Sequence, residues 1–280
     1  MQDRPRSARS SKQAPAADEA PVLRATDGPV TTLTLNRPDA RNALSTAMIA
    51  ALTAEIHRAS DDRTTHAVIL AANGPGFCAG HDLKEMTARR ADDDRGRAFF
   101  AETMEACATM MQAIIRSPKP FIACVHGVAS AAGCQLVATC DLAVASREAR
   151  FSTPGVNIGL FCSTPMIALS RNVSRKHAME MLLLGDMLSA EDAKTFGLVN
   201  RVTAHDEVMS EAVAMARQIA DKSPLTVAIG KEAFYNQLEQ PLADAYDYAA
   251  GVMVKNMLAR DAEEGIGAFI EKRQPKWRGE

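Results

Sequence analysis

Long apolar runs are missing from this chain. No stretch of its 280 residues approaches the roughly 18–20 uninterrupted apolar positions that cross a bilayer. The N-terminus has no apolar core of the secretory-signal kind. An excess of basic charge is missing too. Lys+Arg is 32 against 34 Asp+Glu, a net charge of −2, and a general nucleic-acid binder needs a basic surplus. Paired cysteines are the third absence. Cys78, Cys107, Cys124, Cys134, Cys140 and Cys162 mostly sit in apolar runs, with no CxxC spacing. They read as reduced thiols, and no metal site is expected because no two-plus-two zinc pattern exists. What is present is ordinary for a soluble globular protein: 47% hydrophobic and 24% charged residues. The length permits one large domain or a domain with an appended module.

Residues 1–20 are polar, rich in Arg, Ala and Ser, and without periodicity. They cannot bury enough apolar area to offset the entropy of ordering, so a disordered tail is expected. Arg4, Arg6 and Arg9 leave a mitochondrial transit peptide as the alternative to a cytoplasmic protein, while Asp3 and the missing apolar face argue against it. Order is expected from Pro21. Residues 22–26 and 30–36 read as strands around the turn Asp27-Gly28-Pro29. A helix follows from about Thr46, capped by Ser45 or Thr46, with Met48, Leu52 and Ile56 on one face. Ala67–Ala72 and Phe121–Val125 are continuous apolar runs, hence strands buried on both faces. Residues 91–97 look like a solvated, mobile insertion before a long helix at 98–116. A small-residue helix ends near Thr139, and Asp141–Ala145 is another strand. Repetition of strand, loop and helix is an α/β arrangement. Beyond about residue 163 helices are expected at 163–171, 174–184, 189–195, 206–221, 225–238, 242–259 and 261–273, with a strand at 198–202. The domain reading is a core at 21–203 and a helical region at 204–280.

Four stretches carry a resemblance. They are Phe77-Cys78-Ala79-Gly80-His81-Asp82-Leu83-Lys84-Glu85, His126–Leu136 with Cys140-Asp141, Phe151–Gly159, and Gly185–Asn200. In this order and spacing the chain resembles the enoyl-CoA hydratase/isomerase (crotonase) superfamily over about 22–277. Phe151–Pro165 and Ala268–Trp277 most resemble the subgroup called enoyl-CoA hydratase domain-containing protein 3. The resemblance implies a crotonase-type spiral of repeated ββα units with a C-terminal helical oligomerisation region. It implies a homotrimer or dimer of trimers that binds acyl-CoA thioesters. Neither metal nor redox cofactor is expected, and coenzyme A enters only as part of the substrate.

The family reactions place negative charge on the thioester oxygen, and two backbone N–H groups aimed at that oxygen stabilise it without reorganising. By position in the motifs these donors are expected at Ala79 and Ala132. Ala132 stands near a helix N-terminus, where free N–H groups and the positive dipole end help. The resemblance also assigns CoA contacts to Arg41, Ala43, Ala79, Gly80, His81, Asp82 and Leu83. It further implies that Phe269 and Lys272 reach a neighbouring subunit's CoA.

The site also lacks something. The two glutamates of the family hydratases fall at Gln135 and Gly155. An amide cannot act as a carboxylate base, and glycine offers no side chain. General acid–base help is worth about 10²–10⁴-fold, so ordinary hydration should be severely impaired. Cys134 and Cys162 have no local base to form a thiolate. His81 could titrate near neutral pH but reads first as a CoA-loop residue, and His126 reads as structural. Glu102 and Glu105 read as a solvated helix face. The open readings are an enolate-stabilising acyl-CoA enzyme, a decarboxylase or hydrolase of the same fold, and a catalytically silent acyl-CoA-binding oligomer.

Overall fold

The computed structural model describes residues 20–280; the tail expected at 1–20 therefore lies, but for its last residue, outside the described part. The chain opens with a hairpin, β1 (Val22–Asp27) and β2 (Val30–Leu35), whose turn uses Gly28 at φ 57°. Helix α1 (Thr46–Asp61) follows, and its N-cap is Ser45, whose Oγ accepts the Met48 N–H. Three passes of a repeating unit come next. Strands β3 (Ala67–Ala72) and β4 (Gly76–Cys78) lead to α2 (Leu83–Ala88) and α3 (Arg97–Arg116). Strands β5 (Phe121–Val125) and β6 (Val128–Ser130) lead to α4 (Ala132–Thr139). Strands β7 (Leu142–Ser146) and β8 (Arg150–Ser152) lead to α5 (Pro165–Asn172) and α6 (Arg175–Leu184). In each pass the first strand joins one sheet and the second joins another.

The larger sheet runs β1-β2-β3-β5-β7-β10, where β10 is Arg201–Thr203, and is parallel except for β1. The smaller runs β4-β6-β8-β9, where β9 is Leu188–Ser189. The unbroken apolar runs of β3 and β5 are buried because helices cover both faces. On one side Leu33, Val68, Leu70 and Phe121 join a core with Met48, Leu52 and Ile56 of α1 and Met110 of α3. On the other, Val30, Ile69, Ile122 and Val144 meet Val208, Ala212, Met215 and Ala216 of α8 (Val208–Ala220).

The structure shifts some expected boundaries. Residues 91–97 form a defined turn, because the Asp94 carboxylate accepts the N–H groups of Gly96 and Ala98 and starts α3. The strand expected at 198–202 begins later. Helix α7 (Ala190–Phe196) ends on Gly197 at φ 90°, and Leu198 and Val199 are buried while their N–H groups bond back to Ala193 O. The helix expected from residue 163 starts at Pro165, where a missing N–H costs nothing.

After α8 come α9 (Pro224–Gln237), α10 (Leu242–Met257) and α11 (Arg260–Glu271). These helices leave much apolar surface open: Leu242, Leu258, Phe269 and Ile270 are each more than 70% exposed. One buried cluster ties α9 to the core. Lys231 Nζ donates to Asp141 Oδ2 (2.7 Å), Ile114 O (2.9 Å) and Lys119 O (2.8 Å). Asp141 also accepts the Tyr235 hydroxyl and the Phe121 N–H. No helix among the described residues is long and apolar enough to cross a membrane.

Candidate active site

The site is built where the turn after β4 meets the start of α4. The loop 41–44 and the turn 79–82 run side by side as a short parallel ladder: Leu44 N–H donates to Gly80 O (2.7 Å) and Asp82 N–H to Leu44 O (3.1 Å). Asn42 braces the loop. It is fully buried at φ 54°, and its amide donates to Asn73 O and Gly76 O while accepting the Arg37 N–H. Arg37 bonds Ala43 O and reaches Asp82 Oδ2 at 3.2 Å. Asp82 caps α2 by accepting the Glu85 N–H. Desolvation raises its pKa, but bonds from Glu85 and Arg37 outweigh that and hold the carboxyl below its ordinary range. Glu85 in turn accepts both the N–H and the hydroxyl of Thr46. The structure thus brings Arg41, Ala43, Ala79, Gly80, His81, Asp82 and Leu83 together.

The N–H of Ala79, expected as a donor, is already taken. It is spent on Arg41 O at 3.0 Å. Gly80 N–H faces Cys78 Sγ, and Asp82 N–H goes to Leu44 O. That leaves His81. In the ladder Leu44 bonds to residues 80 and 82, so the His81 N–H points away from it and has no acceptor among the described residues. The sequence motif alone could not distinguish residue 79 from 81, because the choice is made by pairing with the distant loop 41–44.

At the other expected position, Ala132, the N–H is uncommitted. Ala132 is the first residue of α4 and completely buried, so its N–H has no partner within the helix. Its neighbours are committed: Ala131 N–H donates to Ser152 O, and Gln135 N–H to Ala131 O. Ala131 adopts φ 50°, ψ −116°, a conformation foreign to residues with a Cβ; this turns the chain sharply into the helix. Two glycines let the segments touch. A Cβ placed on Gly80 would lie 3.0 Å from Ala131 Cβ and 3.4 Å from Ala132 N. One on Gly133 would lie 2.1 Å from Cys78 O. The residues beside the two unspent N–H groups are therefore in van der Waals contact.

Unpartnered polar atoms occur on this junction and on segments next to it in the chain or the core. His81 Nε2, Gln135 Oε1, Thr153 Oγ1 and Thr103 Oγ1 are buried without a hydrogen bond. Gln135 lies one turn beyond Ala132. Thr153 follows Ser152, which accepts from Ala131. Thr103 lies one turn before Cys107 on α3, and Cys107 shares the core with Cys78. An orphaned buried polar group costs about 1–3 kcal/mol, so such a group is usually kept for a ligand or for water.

Gly155 sits in a short 3-10 turn (Pro154–Ile158). A Cβ there would lie 3.0 Å from Cys162 Sγ and 3.1 Å from Leu160 O. The thiol of Cys162 fills the space that a side chain at 155 needs. Burial raises the thiol pKa of Cys162, and pushes Cys134 up to about 12. Glu102 and Glu105 are exposed on α3. Phe269 and Lys272 stand at the end of α11, where Lys272 closes the helix at φ 55° and Phe269 is 85% exposed. Helix α11 packs against α9 and α10, and its two expected CoA contacts face solvent in the single chain. Among the described residues no cluster of His, Cys, Asp and Glu could hold a metal. A charged bowl of about 860 Å³ beside α11, lined by Arg260, Asp261, Glu264, Arg273 and neighbours, involves none of the site residues.

Comparison with known proteins fits this architecture. The family model described as enoyl-CoA hydratase/isomerase matches residues 25–280. Human "Enoyl-CoA hydratase domain-containing protein 3, mitochondrial" is 46% identical over 88% of this chain and 79% of its own length. The "2,3-dehydroadipyl-CoA hydratase" of Escherichia coli is 34% identical over 88% of this chain and 94% of its own. Among solved structures, an enoyl-CoA hydratase of Mycobacterium smegmatis superposes with a TM-score of 0.88 at 52% identity, covering 92% of this chain and 99% of that one. The human domain-containing protein 3 structure gives 0.87 at 44%, covering 92% and 100%. The alternating strands of two sheets, the touching turn and helix start, and these matches lead to one statement: the chain belongs to the enoyl-CoA hydratase/isomerase family and has the crotonase fold.

Proposed function

We propose that this protein binds acyl-CoA thioesters and stabilises negative charge on the thioester oxygen with the N–H groups of His81 and Ala132. The observation that carries this reading is the pair of unspent donors on two segments packed against each other. One such donor is worth about 3 kcal/mol to an oxyanion in a desolvated site. The CoA moiety would lie along Arg41, Ala43 and the turn 79–83. Phe269 and Lys272 would serve a neighbour's CoA in a homotrimer or dimer of trimers. The apolar surface left open on α10 and α11 supports such self-assembly. Six free, buried thiols suit a reducing compartment, cytoplasm or mitochondrial matrix alike.

Water addition is not the reaction this site favours. Gln135 can hold a water but cannot take its proton, and Cys162 occupies the room beside Gly155. Decarboxylation is the second reading, supported by the same two positions, because a departing carboxylate supplies its own electrons to the enolate. The test is a screen of purified protein with crotonyl-CoA, a 3-enoyl-CoA and a malonyl-type CoA ester. Calorimetric binding is expected, with crotonyl-CoA hydration 10²–10⁴-fold below that of a relative carrying both glutamates. Rapid hydration of crotonyl-CoA would overturn the glutamate argument, and absence of binding would overturn the thioester reading.

A further inference from the structure

The side chain of His81 has no role in the reading so far. Its Nε2 is buried and has no hydrogen-bond partner. Burial alone lowers its pKa, with no charged neighbour contributing, so the imidazole is neutral at pH 7. The other titratable groups nearby are committed or protonated. Asp82 is held by Arg37 and the Glu85 N–H, and Glu85 by Thr46. Burial pushes the thiols of Cys78 and Cys134 up to about 12. The two positions where the family hydratases carry glutamates hold an amide and a glycine. A neutral imidazole is therefore the one titratable side chain of this junction whose lone pair is unspent.

Its placement adds a geometric argument. An oxygen bound about 2.9 Å from the His81 nitrogen has its thioester Cα only two bonds away. The imidazole of that same residue reaches over a comparable span from the same backbone nitrogen. A base on this residue, its Nε2 buried and unpartnered, is therefore within reach of the carbon next to a carbonyl held by its own N–H. We propose that His81 is the proton-transfer residue at the α-carbon of the bound acyl group, an assignment that rests on the thioester reading above. With its own proton on Nδ1, Nε2 takes the α-proton. The Cα–H electron pair forms the new C=C bond, and the carbonyl π pair moves onto the oxygen held by His81 and Ala132 N–H. The imidazolium then returns a proton to Cα. No oxidant or second reactant enters. A single transfer group at Cα serves enolisation and does not supply the second base that water addition needs.

The prediction is exchange of the α-hydrogens of a saturated thioester. Butyryl-CoA is incubated in D₂O with the full-length protein, and deuterium at Cα is followed by NMR, while calorimetry measures binding. Wild type should bind and exchange. His81→Gln keeps the backbone donor, so binding should stay within about threefold while exchange falls at least 100-fold, the low end for a general base. His81→Ala should lose exchange likewise and recover part of it with added imidazole. Exchange by His81→Gln at the wild-type rate would overturn the proposal, as would wild-type binding without exchange. Loss of exchange with equally weakened binding and no imidazole rescue in either variant would assign His81 a structural role and also overturn it. If the wild type does not bind butyryl-CoA, the thioester reading itself fails, an outcome distinct from binding without exchange.

Discussion

The Lys231–Asp141–Tyr235 cluster and the α4 N-terminus are both buried and polar, and they are finished differently. Lys231 has three acceptors for its three protons, and Asp141 receives bonds from a lysine, a tyrosine and a backbone amide. Burial lowers the Lys231 pKa and Asp141 opposes that shift. Where the turn 79–82 meets α4, by contrast, the N–H groups of His81 and Ala132 and the side-chain atoms His81 Nε2 and Gln135 Oε1 stay unpaired, and Ala131 holds a strained conformation. Satisfied polar groups fix one arrangement of the chain, while unsatisfied ones wait for a ligand. The first region holds the helical layer on the core, and the second is where the proposed chemistry is placed.

The sharpest way to break this contrast is to leave one member of the satisfied cluster alone. Lys231→Met strips Asp141 of its countercharge, and removing one partner of a buried pair costs about 3–5 kcal/mol. Equilibrium denaturation should show this loss. Acyl-CoA affinity per folded molecule should change little, because no atom of the cluster belongs to the proposed anion hole. Loss of affinity without loss of stability would erase the division between the two regions.

At the other region the fragile element is contact, not charge. Gly133→Ala would place a methyl 2.1 Å from Cys78 O, and that backbone cannot rotate aside. The start of α4 must move off the turn. An overpacked core costs about 1–3 kcal/mol, less than the Lys231 change. Binding of butyryl-CoA should nevertheless fall more than for any variant of the helical layer, since the two donors no longer converge. Calorimetry on the folded fraction checks this, and unaltered affinity would detach the donors from the function.

These two cases also mark what the sequence could reveal. The apolar runs at 67–72 and 121–125, the Ser45 cap and the Asp27-Gly28-Pro29 turn were legible because each is set by neighbours in the chain. The free N–H of Ala132 was legible because a helix start carries such groups wherever it occurs. That the free N–H is at 81 and not at 79 was illegible, because it depends on which amides the loop 41–44 consumes. Lys231 passed unnoticed since its three acceptors come from residues 114, 119 and 141. The crowding of Gly155 by Cys162 is likewise a fact of packing.

The smallest expected effect concerns the C-terminal strap, residues 272–280, held by the buried carboxylate of Asp261 and by an ion pair at the surface. Asp261 accepts from Ser223 and from the N–H groups of Arg278 and Gly279. Glu264 pairs with Arg273 and accepts the Lys276 N–H. Trp277, the chain's one tryptophan, donates to Asp221 O and lies over Gly265, where a Cβ would meet its ring at 3.0 Å. Its fluorescence therefore reports strap docking. Bonds from Arg273 and Lys276 hold the Glu264 carboxyl down at about 2 against an ordinary 4.5. A depressed carboxylate pKa means that its contribution is complete above the ordinary value and fades as pH falls through the folded one. Acid should then release the strap between pH of about 4.5 and about 2, seen as a shift in Trp277 emission before the core unfolds. Glu264→Gln should bring part of that shift to neutral pH and flatten the acid transition. The ion pair is exposed, so added salt should act in the same direction. An acid transition unaltered by Glu264→Gln would transfer the strap's pH response to Asp261 and its buried partner Ser223, making the strap behave like the core cluster.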